Sequence, residues 1–277
     1  METLTTQLQE NRQALDSLLG VGRNYDIISR DIDIGRRRRR MYVIDGYGDD
    51  GVLERLTAFL LGPGTPLADG AGDMQQFIDR CVSFCEVNCE NKLDAILTGV
   101  FLGKTALLLE GFDHCALIDA KQFPGRGVEE PSDGKVLRGS HDGFTETLVQ
   151  NTALLRRRIR TPDLTLESRK VGGRSQTDVV LAYLESKVDR QELETLRRKL
   201  DAIDVGSIAM SQESVAEAMM KPQWYNPFPK VRYTERPDTA IACVMEGDIV
   251  LFVDNSPSVM LLPTSFFDFL EEAKDYY

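Results

Sequence analysis

Between Gln122 and Gly139 the chain turns to proline, glycine and charge, with Pro124, Gly125, Gly127, Pro131 and Gly134 close together. Proline fixes φ and withholds an N–H, and glycine loses the most backbone freedom when ordered, so such a stretch resists regular structure. The chain of 277 residues is thereby divided into two lengths, each long enough to bury a core of its own. Both carry alternating strand and helix patterns, the mark of α/β layering. The fold expected is α/β: two α/β subdomains with mixed sheets joined by a Pro/Gly-rich linker. The N-terminal subdomain occupies residues 1–121, the linker 122–139 and the C-terminal subdomain 140–277. No internal repeat stands out.

In the first half, Leu4, Leu8, Leu15 and Leu18 predict an amphipathic helix over Thr3 to Leu19, closed by Gly20 and Gly22. A strand follows over Asp26 to Ile34 and a short one over Met41 to Ile44, then a helix over Val52 to Leu61 stopped by Gly62-Pro63-Gly64. Beyond a loop, an apolar strand is expected at Val82 to Val87, a helix at Asn91 to Leu102, and strands at Thr105 to Leu109 and Cys115 to Ile118. In the second half, Phe144, Leu148 and Leu155 predict a helix over Asp142 to Arg160, ended by Pro162. Strands at Leu164 to Lys170 and Asp178 to Leu184 come next. Asp189 caps a helix striped by Leu193, Leu196, Leu200 and Ile203, with Glu192 placed to complete a capping box. Ser211 to Met220 is a further helix and Asp248 to Val253 an apolar strand.

Composition narrows the function classes. A formal net charge of −11 argues against nucleic-acid binding over the whole surface, because attraction to phosphate needs a surplus of Lys and Arg. Five cysteines in a chain this long do not make a secreted disulfide framework, and Met1 to Gln13 lacks the apolar core of a secretory signal, so the expected compartment is intracellular. The most apolar stretch, Leu93 to Leu109, is broken by Asp94, Gly99, Gly103 and Lys104. It falls short of the ~20 consecutive apolar residues of a membrane-crossing helix.

Catalytic signatures are missing from the residue pattern. There is no Gly-x-Ser-x-Gly, no phosphate-binding Gly-x4-Gly-Lys-Ser/Thr and no His-Glu-x-x-His. With only His114 and His141, acid/base chemistry near neutral pH has few candidates, and both read better as capping or packing residues. Cys81, Cys85 and Cys89 recur every four residues, which on a helix would align three thiols, but no second ligand pair completes a zinc site. They read as small buried hydrophobes. The expectation is no enzyme, no cofactor and no metal.

Three apolar strands end in aspartate, at Asp45, Asp119 and Asp254, where α/β sheets often place ligands and where Asp also simply starts turns. Arg36 to Arg40 reads as an exposed hairpin tip, either solvated or facing anionic lipid. Arg156 to Arg158 and Arg160 fall at a helix end, where the macrodipole favours cations.

The second half carries a more specific pattern. Arg138-Gly139-Ser140-His141-Asp142-Gly143-Phe144-Thr145-Glu146 is followed by Asn151 and the basic cluster Arg156, Arg157, Arg158. Tyr233-Thr234-Glu235-Arg236-Pro237-Asp238 comes later, and Glu246-Gly247 leads through a strand to Asp254-Asn255-Ser256-Pro257. Together these resemble, in order, the Arg-Gly-x3-Gly-Phe-x-Glu, Thr-Glu-Arg-Pro-Asp and Glu-Gly-x-strand-Asp-x-x-Pro segments of the GerA family of spore germination proteins. The opening, with Gly20-Val21-Gly22 and Tyr42-Val43-Ile44-Asp45-Gly46, is more similar to the SpoVAF branch than to nutrient-receptor A subunits.

The resemblance implies a soluble N-terminal region on the cytoplasmic, spore-core side of the inner spore membrane, followed by a membrane region beyond Tyr277. It implies subunit interaction and signalling to an ion-release channel. Its partners would be other germination-complex subunits and its own copies, through the full-length membrane protein, with no nucleic acid. The alternative is a small-molecule module binding a nutrient germinant, with Asp45, Asp119 or Asp254 near the ligand. Carried over residue by residue, the ligand or interface candidates are Arg138, Gly139, Gly143, Phe144, Glu146, Asn151, Arg156, Arg157, Thr234, Glu235, Arg236, Pro237, Asp238 and Asp254. Arg236 is expected to pair with an acid elsewhere, such as Glu146, and Asp238 to cap the segment Thr239 to Met245.

Overall fold

The structure, a computed structural model, describes residues 2–34, 37–62, 69–82, 85–122, 142–173, 176–203, 211–219 and 231–263. The chain forms two compact units, Met1–Gly125 with Arg160–Pro162, and Arg126–Ile159 with Asp163–Tyr277. From residue 123 on, the linker expected at 122–139 lies outside the described residues.

The first unit opens with α1 (Leu8–Leu19), whose buried residues Leu8, Asn11, Leu15 and Leu19 recur at helical spacing. Gly20 ends it in the left-handed conformation at φ 70°, which a side chain would resist. The helix begins later than Thr3 because Thr5 and Asn11 bond to each other and hold the chain extended ahead of it. β1 (Ile27–Ile34) and β2 (Arg37–Ile44) form an antiparallel pair with Ile27 opposite Ile44. Asp49 caps α2 (Asp50–Leu61), accepting from the Val52 N–H at 3.0 Å, and Asp73 caps α3 (Met74–Cys81). β3 (Val87–Glu90), α4 (Leu93–Phe101), β4 (Thr105–Leu109) and β5 (Cys115–Ile118) complete the unit. The strand expected at Val82 to Val87 does not form over that range: Val82 closes α3, whose buried face carries Phe77, Ile78 and Cys81, Val87 begins β3, and residues 83 and 84 lie outside the described residues.

The second unit runs α5 (Leu148–Arg158), β6 (Leu164–Val171), β7 (Thr177–Leu184), α6 (Arg190–Asp201), α7 (Ser211–Met219), β8 (Arg232–Thr234), α8 (Pro237–Glu246), β9 (Ile249–Val253) and β10 (Val259–Leu262). Asp189 caps α6 by accepting from the Gln191 and Glu192 N–H groups. Leu193, Leu196 and Leu200 then face a core shared with β7, β9 and β10. Pro237 opens α8 at a position where its missing N–H costs nothing, and Gly247 closes it at φ 117°.

Each unit holds a five-stranded sheet, in the orders β1-β2-β4-β5-β3 and β6-β7-β9-β10-β8. The layers are α/β as expected, but every strand pairing within them is antiparallel rather than mixed. The hairpins β1/β2, β4/β5, β6/β7 and β9/β10 account for this, since short connections join only antiparallel neighbours. β4 and β9 are each buried along all five residues, as central strands covered on both faces must be.

Arg37 to Arg40 do not form an exposed tip. They belong to β2, and Arg39 and Arg40 are buried to 0% and 5% exposure. Pairing with β4, Arg39 opposite Leu109 and Arg40 opposite Leu108, draws them inward, and alternation sends their side chains to opposite faces. Arg39 reaches Asp69 at 3.2 Å. Burial lowers its pKa against the pull of that carboxylate. Arg40 donates to Asp16 (3.0 Å), Asp31 (2.9 Å) and Ser29 (2.8 Å), and Tyr42 donates to Asp16 at 2.8 Å.

Candidate functional site

The three sequence segments singled out in the second half converge within the second unit. The Phe144 N–H donates to the Glu235 carbonyl at 2.9 Å, and the Asn255 N–H to the Glu146 carbonyl at 3.0 Å. Phe144, 2% exposed, meets the Phe252 ring edge-on at 5.5 Å. Asn151 accepts from the Thr145 N–H at 2.7 Å, and its Nδ2 donates to the carbonyls of Thr145 (2.5 Å) and Ser256 (3.4 Å). Residues far apart in the chain are thus tied by main-chain bonds, with Asn151 spanning two of the segments.

On this frame sits an ion pair. Arg236 donates through Nε to Asp238 Oδ1 at 3.0 Å and through Nη2 to Oδ2 at 2.5 Å, a bidentate contact. The Arg236 guanidinium holds the Asp238 carboxyl below its usual range, with the Thr239 N–H adding to the effect. The acid lies in the first turn of α8, where the macrodipole favours negative charge. Both side chains stay partly exposed, at 20% and 38%. Asp238, rather than Glu146, is an acid that the described residues bring to Arg236, because the turn into α8 places the two within reach. Asp238 likewise does not precede the helix as its cap. Arg236 occupies that position, and Thr234 Oγ1 accepts the Arg236 N–H at 3.1 Å.

The other candidates are dispersed. Gly143 is buried beside Phe144, and Pro237 is buried at the start of α8. Arg156 is fully buried and donates to the Leu164 carbonyl at 3.0 Å, while Arg157 is exposed. Arg138, Gly139 and His141 lie outside the described residues. Asp254 follows β9, and its N–H donates to the Asp178 carbonyl. Asp45 and Asp119 belong to the first unit. Burial of Asp119 is outweighed by Lys121, 2.7 Å away, so its pKa falls.

Cys81 ends α3, Cys85 lies in neither the helix nor the strand and Cys89 is in β3, so the three thiols share no helix face. Burial pushes all three up, which keeps them as thiols rather than thiolates. Among the described residues no group of three or more His, Cys, Asp or Glu side chains is arranged to hold a metal ion. None of the described helices is long and apolar enough to cross a membrane.

Thr145 and Ser256 stand in the motif segments, but sequence reasoning missed that they and Phe252 lock those segments together. It also missed Glu167, which accepts from Arg197 and Arg169 and from the Tyr183 hydroxyl at 3.2 Å. Only the period-two pattern of β6 hinted that Glu167 and Arg169 share a face.

The family description "Bacillus/Clostridium GerA spore germination protein" matches residues 13–277. The chain belongs to the GerA family. It is 36% identical over 267 residues to stage V sporulation protein AF of Bacillus subtilis (strain 168), covering 96% of this chain and 54% of that protein. It is 31% identical over 277 residues to the membrane protein YfkQ of the same organism, covering 99% of this chain and 52% of that protein. The crystal structure of the N-terminal domain of the A subunit of the Bacillus megaterium spore germinant receptor GerK3 is similar, with a TM-score of 0.71 at 25% identity, covering 95% of this chain and 97% of that one. The chain spans about half the length of the curated relatives it matches.

Proposed function

We propose that this GerA-family chain is the non-membrane N-terminal part of an inner-spore-membrane germination protein, lying on the spore-core side. It acts in subunit interaction and in signalling to an ion-release channel during germination. The observation that carries the reading is the joining of the motif segments around Phe144, Glu235 and Asn255, with the Arg236–Asp238 pair left partly exposed upon them. A bidentate pair built on interlocked backbone offers a fixed charged contact to a neighbouring subunit, where rim charges set register and partner choice. Its partners are other germination-complex subunits and further copies of itself, reached through the full-length protein.

Arg236→Ala in the full-length protein tests this. The expected result is slowed ion release from spores that still contain normal amounts of folded protein. Unchanged release would refute the role of the pair.

A second reading is favoured by the name of the similar solved structure, a domain of a germinant receptor. On that reading the chain binds a small nutrient molecule. Calorimetry of the chain with candidate amino acids and sugars decides it: saturable heat supports the binding module, and its absence across the set opposes it.

A further inference from the structure

The two sheets share one strand order, and the helices fall between the strands in the same sequence. The agreement reaches single hydrogen bonds. Thr5 N–H donates to Asn11 Oδ1 at 2.9 Å and Asn11 Nδ2 to the Thr5 carbonyl at 2.6 Å. Thr145 and Asn151 make the same two bonds at 2.7 and 2.5 Å. In each case the threonine hydroxyl accepts an N–H two residues on, from Gln7 at 3.2 Å and from Thr147 at 3.3 Å. The offset that takes Asn11 to Asn151 also takes Leu8 to Leu148, Leu15 to Leu155 and the helix cap Asp49 to the helix cap Asp189.

A slightly larger offset, that between Gly103 and Gly247, relates the later elements. Both glycines have positive φ, at 92° and 117°, and the N–H following each returns to the helix at 3.0 Å. The two registers are bonded together alike: Gly111 N–H to the Thr6 carbonyl and Asn255 N–H to the Glu146 carbonyl, both at 3.0 Å, with Gly111 and Asn255 again at positive φ. Leu4 N–H meets the Asn91 carbonyl, and Phe144 N–H the Glu235 carbonyl, both at 2.9 Å. A common packing solution would match layers and strand order but has no reason to match the side-chain clasp and the aspartate cap at one offset and the positive-φ turns at the other.

We infer that the two units are copies of one module, and that the Thr–Asn clasp is a building element of that module. Asn151 is then a positioning residue for the second unit, doing there what Asn11 does in the first, and it leaves the set of ligand or interface candidates. The Arg236–Asp238 pair is different. Lys92 and Asp94 stand at the matching positions, but the bidentate contact belongs to the second unit. The copies also diverge inside: Arg156 stands where the first unit has Asp16, and Val180 and Ala182 stand where it has Arg40 and Tyr42. The inference is independent of the channel reading, because its readout is local stability.

Hydrogen exchange of the chain tests it with four variants, Asn11→Ala, Asn151→Ala, Asn11→Asp and Asn151→Asp. Each alanine variant is expected to speed exchange roughly tenfold or more in its own clasp, residues 4–12 or 144–152, as loss of the two clasp hydrogen bonds requires, with Asn151→Ala also losing the longer contact to the Ser256 carbonyl. The other unit should be unaffected. Each aspartate variant keeps the acceptor and loses the donor, so it should fall between its alanine variant and the parent. Matched effects in the two units, within about threefold, support the inference. Protection unchanged by Asn151→Ala, or an aspartate series graded in one unit and flat in the other, would overturn it.

Discussion

Removing the Asp16 carboxylate should unlock the buried arginine of the first unit. Asp16 accepts from Arg40 Nη2 at 3.0 and 3.1 Å and from the Tyr42 hydroxyl at 2.8 Å, and Arg40 itself is only 6% exposed in its side chain. In Asp16→Ala, Arg40 keeps Asp31 and Ser29, so its charge is not stranded, but the Tyr42 hydroxyl loses its acceptor inside the unit. One charge-assisted bond and one buried hydroxyl bond together amount to about 2–3 kcal/mol, less than the ~3–5 kcal/mol of a wholly orphaned buried charge. For a unit of this size that is a fall of about 10 °C in the melting transition of the first unit. Tyr42→Phe alone should cost about 1 kcal/mol, because Asp16 keeps Arg40, and the double variant should show coupling of about 1 kcal/mol. Calorimetry and urea titration of the four proteins supply the cycle. A shift under 2 °C for Asp16→Ala, or no coupling to Tyr42, would refute the reasoning that this network, rather than apolar packing alone, fixes β2 against α1.

Glu167 gives a pH dependence with a definite sign. Burial alone would raise its pKa, but Arg197 and Arg169 outweigh it and the net shift is downward. A depressed folded pKa contributes stability that is present above the ordinary carboxylate value and lost as pH falls through the folded one. The second unit should therefore weaken as pH drops below about 4.5, and Glu167→Gln should flatten that slope while lowering stability at neutral pH; an unchanged slope in urea titrations from pH 6 to 3 would contradict this. Gly247→Ala forces a side chain onto a φ of 117° with the Lys187 carbonyl 3.2 Å from its Cβ. A loss of about 1–2 kcal/mol is expected by chemical denaturation, and a neutral or stabilised variant would count against the strained helix end.

Much of the layout was legible because it rests on local chemistry. The strands at Thr105–Leu109 and Cys115–Ile118 match the apolar runs, and the Asp189 cap and leucine stripe of α6 match their side chains. The misread parts were decided at a distance. Nothing near Arg39 and Arg40 says that β4 will pair with them and that Asp69 and Asp16 will neutralise them. β8 is three residues long and leaves no periodicity to read. The repeat was visible in principle as Thr5-x2-Leu8-x2-Asn11-x3-Leu15 and Thr145-x2-Leu148-x2-Asn151-x3-Leu155, but four shared residues do not stand out until the backbone shows that the asparagines make the same bonds. Of the site, the motif residues were found and their contacts were not, because Arg236 takes its partner from the turn that Pro237 begins.

The central claim, that this chain is part of an inner-spore-membrane germination protein, is tested most directly by fractionating native spores and probing inner membrane and soluble core with antibody to this chain. The expected result is a membrane-bound band well above 31.1 kDa. A soluble band near 31.1 kDa, with none in the membrane, would contradict the account.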